Sequence, residues 1–130
     1  MATEANKAVF RVPFRALNER RLETLDAHPA FSGDRAFFER LFAAFPDATA
    51  TLHELIGEGN WLAYRLTQQG THQGEFMGIP ATGRRAEWDV IGTVRVDDGK
   101  FVEHHAHPDT ISLMQQLGAA PPAAPASRAG

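Results

Sequence analysis

The sequence contains no cysteine among its 130 residues. Disulfide bonds and thiolate nucleophiles are therefore excluded, and His, Asp and Glu remain as the metal ligands to consider. No apolar run approaches the roughly 20 residues that a membrane-spanning helix needs, and no apolar signal segment follows Met1. These absences predict a soluble, cytoplasmic protein with no membrane partner.

A block of basic residues is absent as well. The formal net charge is −3, from 13 Lys and Arg against 16 Asp and Glu. The arginines near the N-terminus alternate with acidic residues, which is typical of a solvated helix face. We therefore expect no nucleic-acid partner.

The chain has the length and composition of one domain, with 43 % hydrophobic residues. The domain is predicted to span residues 5–118. Residues 119–130 are rich in Ala and Pro and almost uncharged, so this tail is predicted to be disordered.

Apolar residues recur at helical spacing in the first third of the chain. A helix is predicted over residues 5–25, where Pro13 would introduce a kink or delay the start. A second helix is predicted from Ser32 or Asp34 to about Ala44, with a phenylalanine face that includes Phe38. Part of this face could line a pocket.

From residue 49 onward the apolar period changes to two, which is typical of strands. Strands are predicted over 52–56, 61–71, 87–96 and 101–107, with hairpin turns at 57–60 and 97–100. Helices followed by an antiparallel sheet indicate an α+β fold.

The segment 103–109 concentrates titratable side chains. Alternation along a strand would place on one face the side chains of Glu103, His105, His107 and Asp109. A two-residue loop at Asp98-Gly99 would align that face with an apolar wall formed by Val94, Gly92, Val90 and Trp88.

Desolvation by such a wall would raise the pKa of a carboxylic acid toward working pH, which suits general acid–base catalysis. Three alternatives stay open. The polar face could simply be solvated, or His105 and His107 could bind a metal with a third ligand from elsewhere. Asp109 could cap a helix beginning near Thr110.

Three sequence runs carry a family resemblance: GTHQGEFMGIPATGR, RVDDGKFVEHHAHPD and LMQQLG. Over residues 37–118 the chain resembles the SnoaL-like polyketide cyclases (ester cyclases) of the nuclear-transport-factor-2-like superfamily. It departs from that pattern at His105, where Trp is usual, and at Ala81, where Pro is usual. Residues 25–32 are also shorter than usual, which places one pocket wall in question.

The resemblance implies a conical α+β barrel in which N-terminal helices pack on a curved antiparallel sheet and enclose one pocket. It implies a cofactor-independent, metal-free cyclase that acts on a small apolar carbonyl substrate by intramolecular aldol chemistry. Asp109 would then be the acid–base group, with His107 or His105 on the enolate oxygen. The rival interpretation is a non-catalytic small-molecule-binding or assembly domain of the same fold.

The remaining candidate substrate contacts are spread over the loop and the sheet. His72 could donate to a substrate carbonyl, or it could instead bond the loop backbone. The other predicted contacts are Trp88, Glu103, Phe38, Val90 and Phe76. A homodimer is expected through an outward sheet face offering Val102, Ala106, Ile91 and Thr93.

Overall fold

A computed structural model of the protein describes residues 2–31 and 34–118. These residues form helices α1 (Ala2–Asn18), α2 (Arg35–Ala44) and α3 (Thr110–Gln116), and strands β1 (Thr49–Glu58), β2 (Trp61–Thr71), β3 (Arg85–Asp97) and β4 (Lys100–Pro108). Two short 3-10 helices, Leu22–Ala27 and Pro29–Phe31, lie between α1 and α2. The predicted tail at 119–130 and the predicted cap at Ser32 lie outside the described residues.

Helix α1 ends earlier than its apolar pattern predicted. Arg20 adopts a positive φ of 66°, which an α-helix cannot continue. The amide of Arg21 then donates to the carbonyl of Ala16 at 2.8 Å and closes the helix end. The predicted single helix over 5–25 was therefore wrong beyond Asn18, and the helix starts at Ala2 rather than after Pro13.

The shortened segment after α1 is folded against the core. Leu25, His28 and Phe31 of the two 3-10 helices are buried. The ring of His28 stacks on Phe101 at 4.6 Å, and its Nδ1 accepts a hydrogen bond from the Phe101 amide. This segment therefore supplies a wall where the sequence left one in question.

The four described strands form one antiparallel sheet in the order β1-β2-β3-β4. Register shifts in β1 and between β3 and β4 mark β-bulges, at which strands bend and twist more strongly. The sheet is curved, and the helices pack against its concave face. The α+β architecture predicted from the change of period is confirmed. Within the described residues, no helix is long and apolar enough to cross a membrane.

The β3–β4 hairpin begins as its sequence predicts and then changes register. Asp98 and Gly99 have φ of 52° and 74°, as a two-residue turn of this type requires, and Val96 faces Phe101. Beyond that pair, Arg95 faces Glu103, so Val102 is the extra residue of a bulge. Every later residue of β4 consequently points to the face opposite the predicted one.

Candidate active site

An open-mouthed cavity of about 520 Å³ lies between the helices and the concave face of the sheet, and this volume is typical of small-molecule sites. Its wall is mainly aromatic and aliphatic, with rings from Phe10, Phe14, Phe31, Phe38, Phe42 and Phe76. Among the cavity-lining residues that the structure describes, Asp34 is the one carboxylate and His104 the one imidazole. The cavity therefore favours an apolar ligand and concentrates its titratable groups.

A tyrosine and a histidine meet on the sheet side of this cavity. The hydroxyl of Tyr64 on β2 lies 2.6 Å from Nε2 of His104 on β4, which is a short hydrogen bond. Tyr64 crosses over Gly92 of β3 to reach it. A Cβ at position 92 would collide with the Tyr64 hydroxyl, so the strand needs glycine here.

Asp34 approaches the other nitrogen of the same imidazole. Its Oδ2 lies 3.8 Å from Nδ1 of His104, which is a charge contact rather than a hydrogen bond. Asp34 is the residue before α2, yet its side chain does not cap that helix. The carboxylate is thus available to favour a proton on Nδ1, which leaves Nε2 as the acceptor for the Tyr64 hydroxyl.

Burial favours the neutral forms of the His104 imidazole and the Tyr64 phenol. Desolvation lowers the pKa of His104, and the nearby Asp34 carboxylate opposes this only in part. Desolvation also raises the pKa of Tyr64 well above its ordinary value, with a further contribution from Asp34. At neutral pH the pair therefore presents a neutral imidazole base beside a protonated phenol.

The face predicted as catalytic lies on the outside of the sheet. Because of the bulge at Val102, His105 faces Thr93 and His107 faces Ile91, while Ala106 faces Gly92 on the concave side. The predicted apolar wall consists of Val94, Val90 and Trp88. The β4 residues that share its face of the sheet are therefore His104, Ala106 and Pro108. The predicted outward position of Ala106 was also wrong, since this residue lines the cavity.

The outer face is held together by its own charges. Glu103 accepts hydrogen bonds from His105 at 2.7 Å and from Arg95 at 3.2 Å. The hydrogen bond from His105 is the main cause of a lowered pKa for Glu103, and the bond from Arg95 lowers this pKa further. His105 and His107 are exposed, and a homodimer through this face stays a prediction.

Asp109 serves as a helix cap. Its Oδ1 accepts a hydrogen bond from the Ser112 amide at 3.0 Å, and its backbone amide donates to Asp89. The residue is exposed and does not line the cavity, although its neighbours Pro108 and Thr110 do. The desolvating environment predicted for this carboxylate was therefore wrong, and the capping alternative describes its contacts.

Comparison with known proteins places this geometry in a family. The family described as SnoaL-like polyketide cyclase matches residues 16–117. The chain belongs to the SnoaL-like polyketide cyclase family. Aklanonic acid methyl ester cyclase DnrD of Streptomyces peucetius is 33 % identical over 98 residues, which cover 72 % of this chain and 68 % of that protein. Nogalonic acid methyl ester cyclase of Streptomyces nogalater is 31 % identical over 95 residues, which cover 70 % of this chain and 71 % of that protein.

Solved structures share the fold of this SnoaL-like chain over most of its length. AclR of Streptomyces galilaeus, described as a candidate hydroxylase, superposes with a TM-score of 0.83 at 30 % identity and covers 92 % of this chain and 99 % of its own. TsrD of Streptomyces laurentii superposes with a TM-score of 0.81 at 30 % identity, and the match covers 89 % of this chain and 96 % of TsrD. The predicted nuclear-transport-factor-2-like α+β architecture is thereby confirmed, with the four described strands forming an open, curved sheet rather than a closed barrel.

The His72 motif that contributed to the SnoaL-like resemblance has a structural place. His72 is fully buried and stacks on Phe45 at 5.3 Å, outside the cavity lining. Its Nδ1 lies 3.0 Å from the Thr82 hydroxyl and accepts from the Thr82 amide. The ring thus ties the loop before β3 to the end of β2, and its predicted contact with substrate has no support in this geometry.

Four of the predicted contacts do line the cavity of this SnoaL-like domain: Phe38, Phe76, Trp88 and Val90. The polar residues Asp34, Tyr64, Gln68 and His104 were missed. Period-two alternation through Leu62, Tyr64 and Leu66 was a signal that could have identified Tyr64. Within the described residues, no group of three His, Cys, Asp or Glu side chains could hold a metal ion.

Proposed function

We propose that this chain is a cofactor-independent cyclase that closes a ring in a small, polyketide-like carbonyl substrate by intramolecular aldol chemistry. The observation that carries the proposal is the Tyr64–His104 pair, with atoms 2.6 Å apart, on the wall of an apolar cavity. Two relatives named as cyclases of methyl esters, at 33 % and 31 % identity, support the substrate class.

His104 is the proposed base of the first step. Its neutral Nε2 removes a proton from the carbon next to a substrate carbonyl, and negative charge moves onto the carbonyl oxygen as the enolate forms. The Tyr64 hydroxyl turns from His104 to donate to that oxygen, which stabilises the charge. The nearby Asp34 carboxylate stabilises the imidazolium that results.

The second step forms the ring. The enolate carbon attacks a second carbonyl carbon of the same molecule, and the new alkoxide takes the proton back from Nε2 of His104. Proton and charge therefore balance without a co-reactant. The cavity of about 520 Å³ holds the two reacting carbons close to each other, which offsets part of the entropy cost of ring closure.

Catalysis by Asp109 with His105 or His107 stays a prediction from the family resemblance. Its support is weaker than that for His104, since these three side chains are exposed and none of them lines the cavity. The non-catalytic binding alternative gains support from the same placement. On the concave face of β4 the residues after His104 are Ala106 and Pro108, neither of which can transfer a proton.

The test is conversion of aklanonic acid methyl ester and nogalonic acid methyl ester, followed by chromatography because ring closure leaves the mass unchanged. Wild-type protein is expected to form a ring-closed product. Tyr64→Phe removes the hydroxyl alone and should lower kcat by roughly 10²-fold, as the loss of an oxyanion donor does. A thermal melt of each protein separates lost chemistry from lost folding.

The outcome that contradicts cyclase function is binding of either ester, seen as a rise in melting temperature, without any product from wild-type protein. That result would favour the binding-domain alternative. Equal turnover by wild type and Tyr64→Phe would contradict the assigned chemistry while leaving the cyclase class intact.

A further inference from the structure

A second polar position lies in the cavity, away from the Tyr64–His104 pair. Gln68 lines the cavity on the same concave face of β2 as Tyr64 and Leu66. Since strands rise about 3.3 Å per residue, the Cα atoms of Tyr64 and Gln68 lie about 13 Å apart. The wall between them is apolar, formed by Leu66 and by Val90 opposite it on β3.

The orientation of the Gln68 amide is determined by Trp88. The indole Nε1 of Trp88 donates to Oε1 of Gln68 at 2.7 Å. Because an indole N–H can only donate, the amide oxygen must face Trp88 and the amide nitrogen must face away from it. Trp88 is itself 4 % exposed and packed against Phe45, so this arrangement is held by the core.

The amide nitrogen of Gln68 is left with two free donors. Within the described residues this nitrogen donates no hydrogen bond, and the one hydrogen bond of the Gln68 side chain is that from Trp88 to its oxygen. This nitrogen is also not sealed in the core. Among the described residues, His72 Nε2 is the one fully buried side-chain nitrogen or oxygen that lacks a hydrogen-bond partner. A ligand that fills the cavity without pairing this group would leave it desolvated, at a cost in affinity.

We propose that Gln68 is a specificity-determining residue that donates from Nε2 to an acceptor oxygen at the end of the ligand remote from Tyr64 and His104. The ligand class is an elongated, rigid, apolar molecule, such as a fused aromatic ketone, with acceptor oxygens at both ends. This inference rests on the proposed role of the cavity as the substrate site. It does not depend on the chemistry assigned to His104.

The test is a binding titration that needs no turnover. The chain has two tryptophans, so Trp61→Phe leaves Trp88 on the cavity wall as the single reporter of quenching. The probes are 2,6-diacetylanthracene, which carries a ketone oxygen at each end, and 2,6-diethylanthracene, which has nearly the same shape without oxygen. With oxygens at both ends, the ketone can pair with Gln68 in either orientation.

In the Trp61→Phe background, Gln68→Leu is expected to weaken binding of the diacetyl probe roughly tenfold, as loss of one hydrogen bond does. Binding of the diethyl probe should change less than about twofold, since only packing is altered. Gln68→Glu is the matched variant, because it keeps an acceptor for Trp88 Nε1 and removes the two donors. Gln68→Glu should weaken binding of the diacetyl probe at least as much as Gln68→Leu does. It also provides the test if Gln68→Leu fails to fold.

Equal losses for the two probes would overturn the inference, because Gln68 would then act by packing alone. Unchanged affinity of the diacetyl probe in both variants would overturn it as well. Quenching by neither probe in the Trp61→Phe protein would overturn both this inference and the role of the cavity. Selective loss of the diacetyl probe, with no turnover by wild type, would leave this inference standing and remove only the cyclase function.

Discussion

The two faces of β4 carry the same kind of residue in different environments. On the concave face, His104 contacts Tyr64 and lies within an apolar wall that lowers its pKa. On the outer face, His105 is exposed and pairs with Glu103 at 2.7 Å. The two histidines are adjacent in the sequence, so residue type alone does not distinguish a base in the cavity from a histidine hydrogen-bonded on the surface.

The difference between the faces depends on one extra residue. Val102 interrupts the pairing between Val96–Phe101 and Arg95–Glu103. Without this bulge, the Asp98-Gly99 turn would have placed His105 in the cavity and His104 outside. Functional assignments on a strand therefore depend on its register as much as on its motif.

The largest expected effect separates the two histidines directly. His104→Gln keeps hydrogen-bonding capacity but cannot take up a proton, so kcat on a converted ester should fall roughly 10²- to 10⁴-fold. His105→Gln is the matched control on the outer face and should leave kcat within about twofold. Steady-state kinetics on both variants give the measurement, and the reverse ranking would restore the outer-face site.

Gly92→Ala tests how closely the concave face is packed. The added methyl would collide with the Tyr64 hydroxyl and with the carbonyl oxygen of His105, so the free energy of unfolding should fall by roughly 1–3 kcal/mol. Ile91→Ala on the outer face is the control, because Ile91 is 56 % exposed and should matter less. Urea unfolding of both variants measures this, and a fully stable Gly92→Ala protein would argue against the Tyr64–His104 geometry.

Asp109 tests whether the motif residue is a cap or a catalyst. Asp109→Ala removes the acceptor for the Ser112 amide and should cost about 1 kcal/mol of stability. Asp109→Asn keeps a capping side chain and should preserve both stability and turnover. Loss of turnover in Asp109→Asn with an unchanged melting temperature would instead support the acid–base role implied by the family resemblance.

The smallest effect concerns pH. Burial lowers the pKa of His104, so the folded state binds fewer protons than the unfolded state below the ordinary imidazole pKa of about 6.5. Stability should therefore be complete above about pH 6.5 and decline as the pH falls below it. His28, whose pKa is also lowered by burial and then by Lys100, contributes in the same direction.

The measurement is urea unfolding between about pH 5 and pH 8 for wild type and His104→Gln. The variant should lose less stability on acidification, and the remaining slope should come largely from His28. Identical slopes would mean that His104 is not desolvated in the folded protein.

Much of the fold was predictable because it rests on local patterns. Period-two alternation predicted the strands, and the Asp98-Gly99 turn predicted the Val96–Phe101 pair that is observed. Apolar alternation also identified Trp88 and Val90 as cavity residues. The end of α1 was less predictable, since it depends on the left-handed conformation of Arg20 and on a pair of hydrogen bonds between the Asn18 side chain and the Ala50 backbone. Asn18 Nδ2 donates to the Ala50 carbonyl, and the Ala50 amide donates to Asn18 Oδ1.

The sequence by itself determined the α+β class, the strands, the hairpin turn and the family, because each follows from short-range periodicity or from motif order. Only the tertiary structure decided which histidine enters the cavity. The bulge at Val102 changes the pairing of every later residue of β4 with β3, and no local signal in the sequence marks it. The approach of Asp34 and Tyr64 to His104 likewise joins residues 70 and 40 positions away, through contacts that exist only once the sheet has curved around the core.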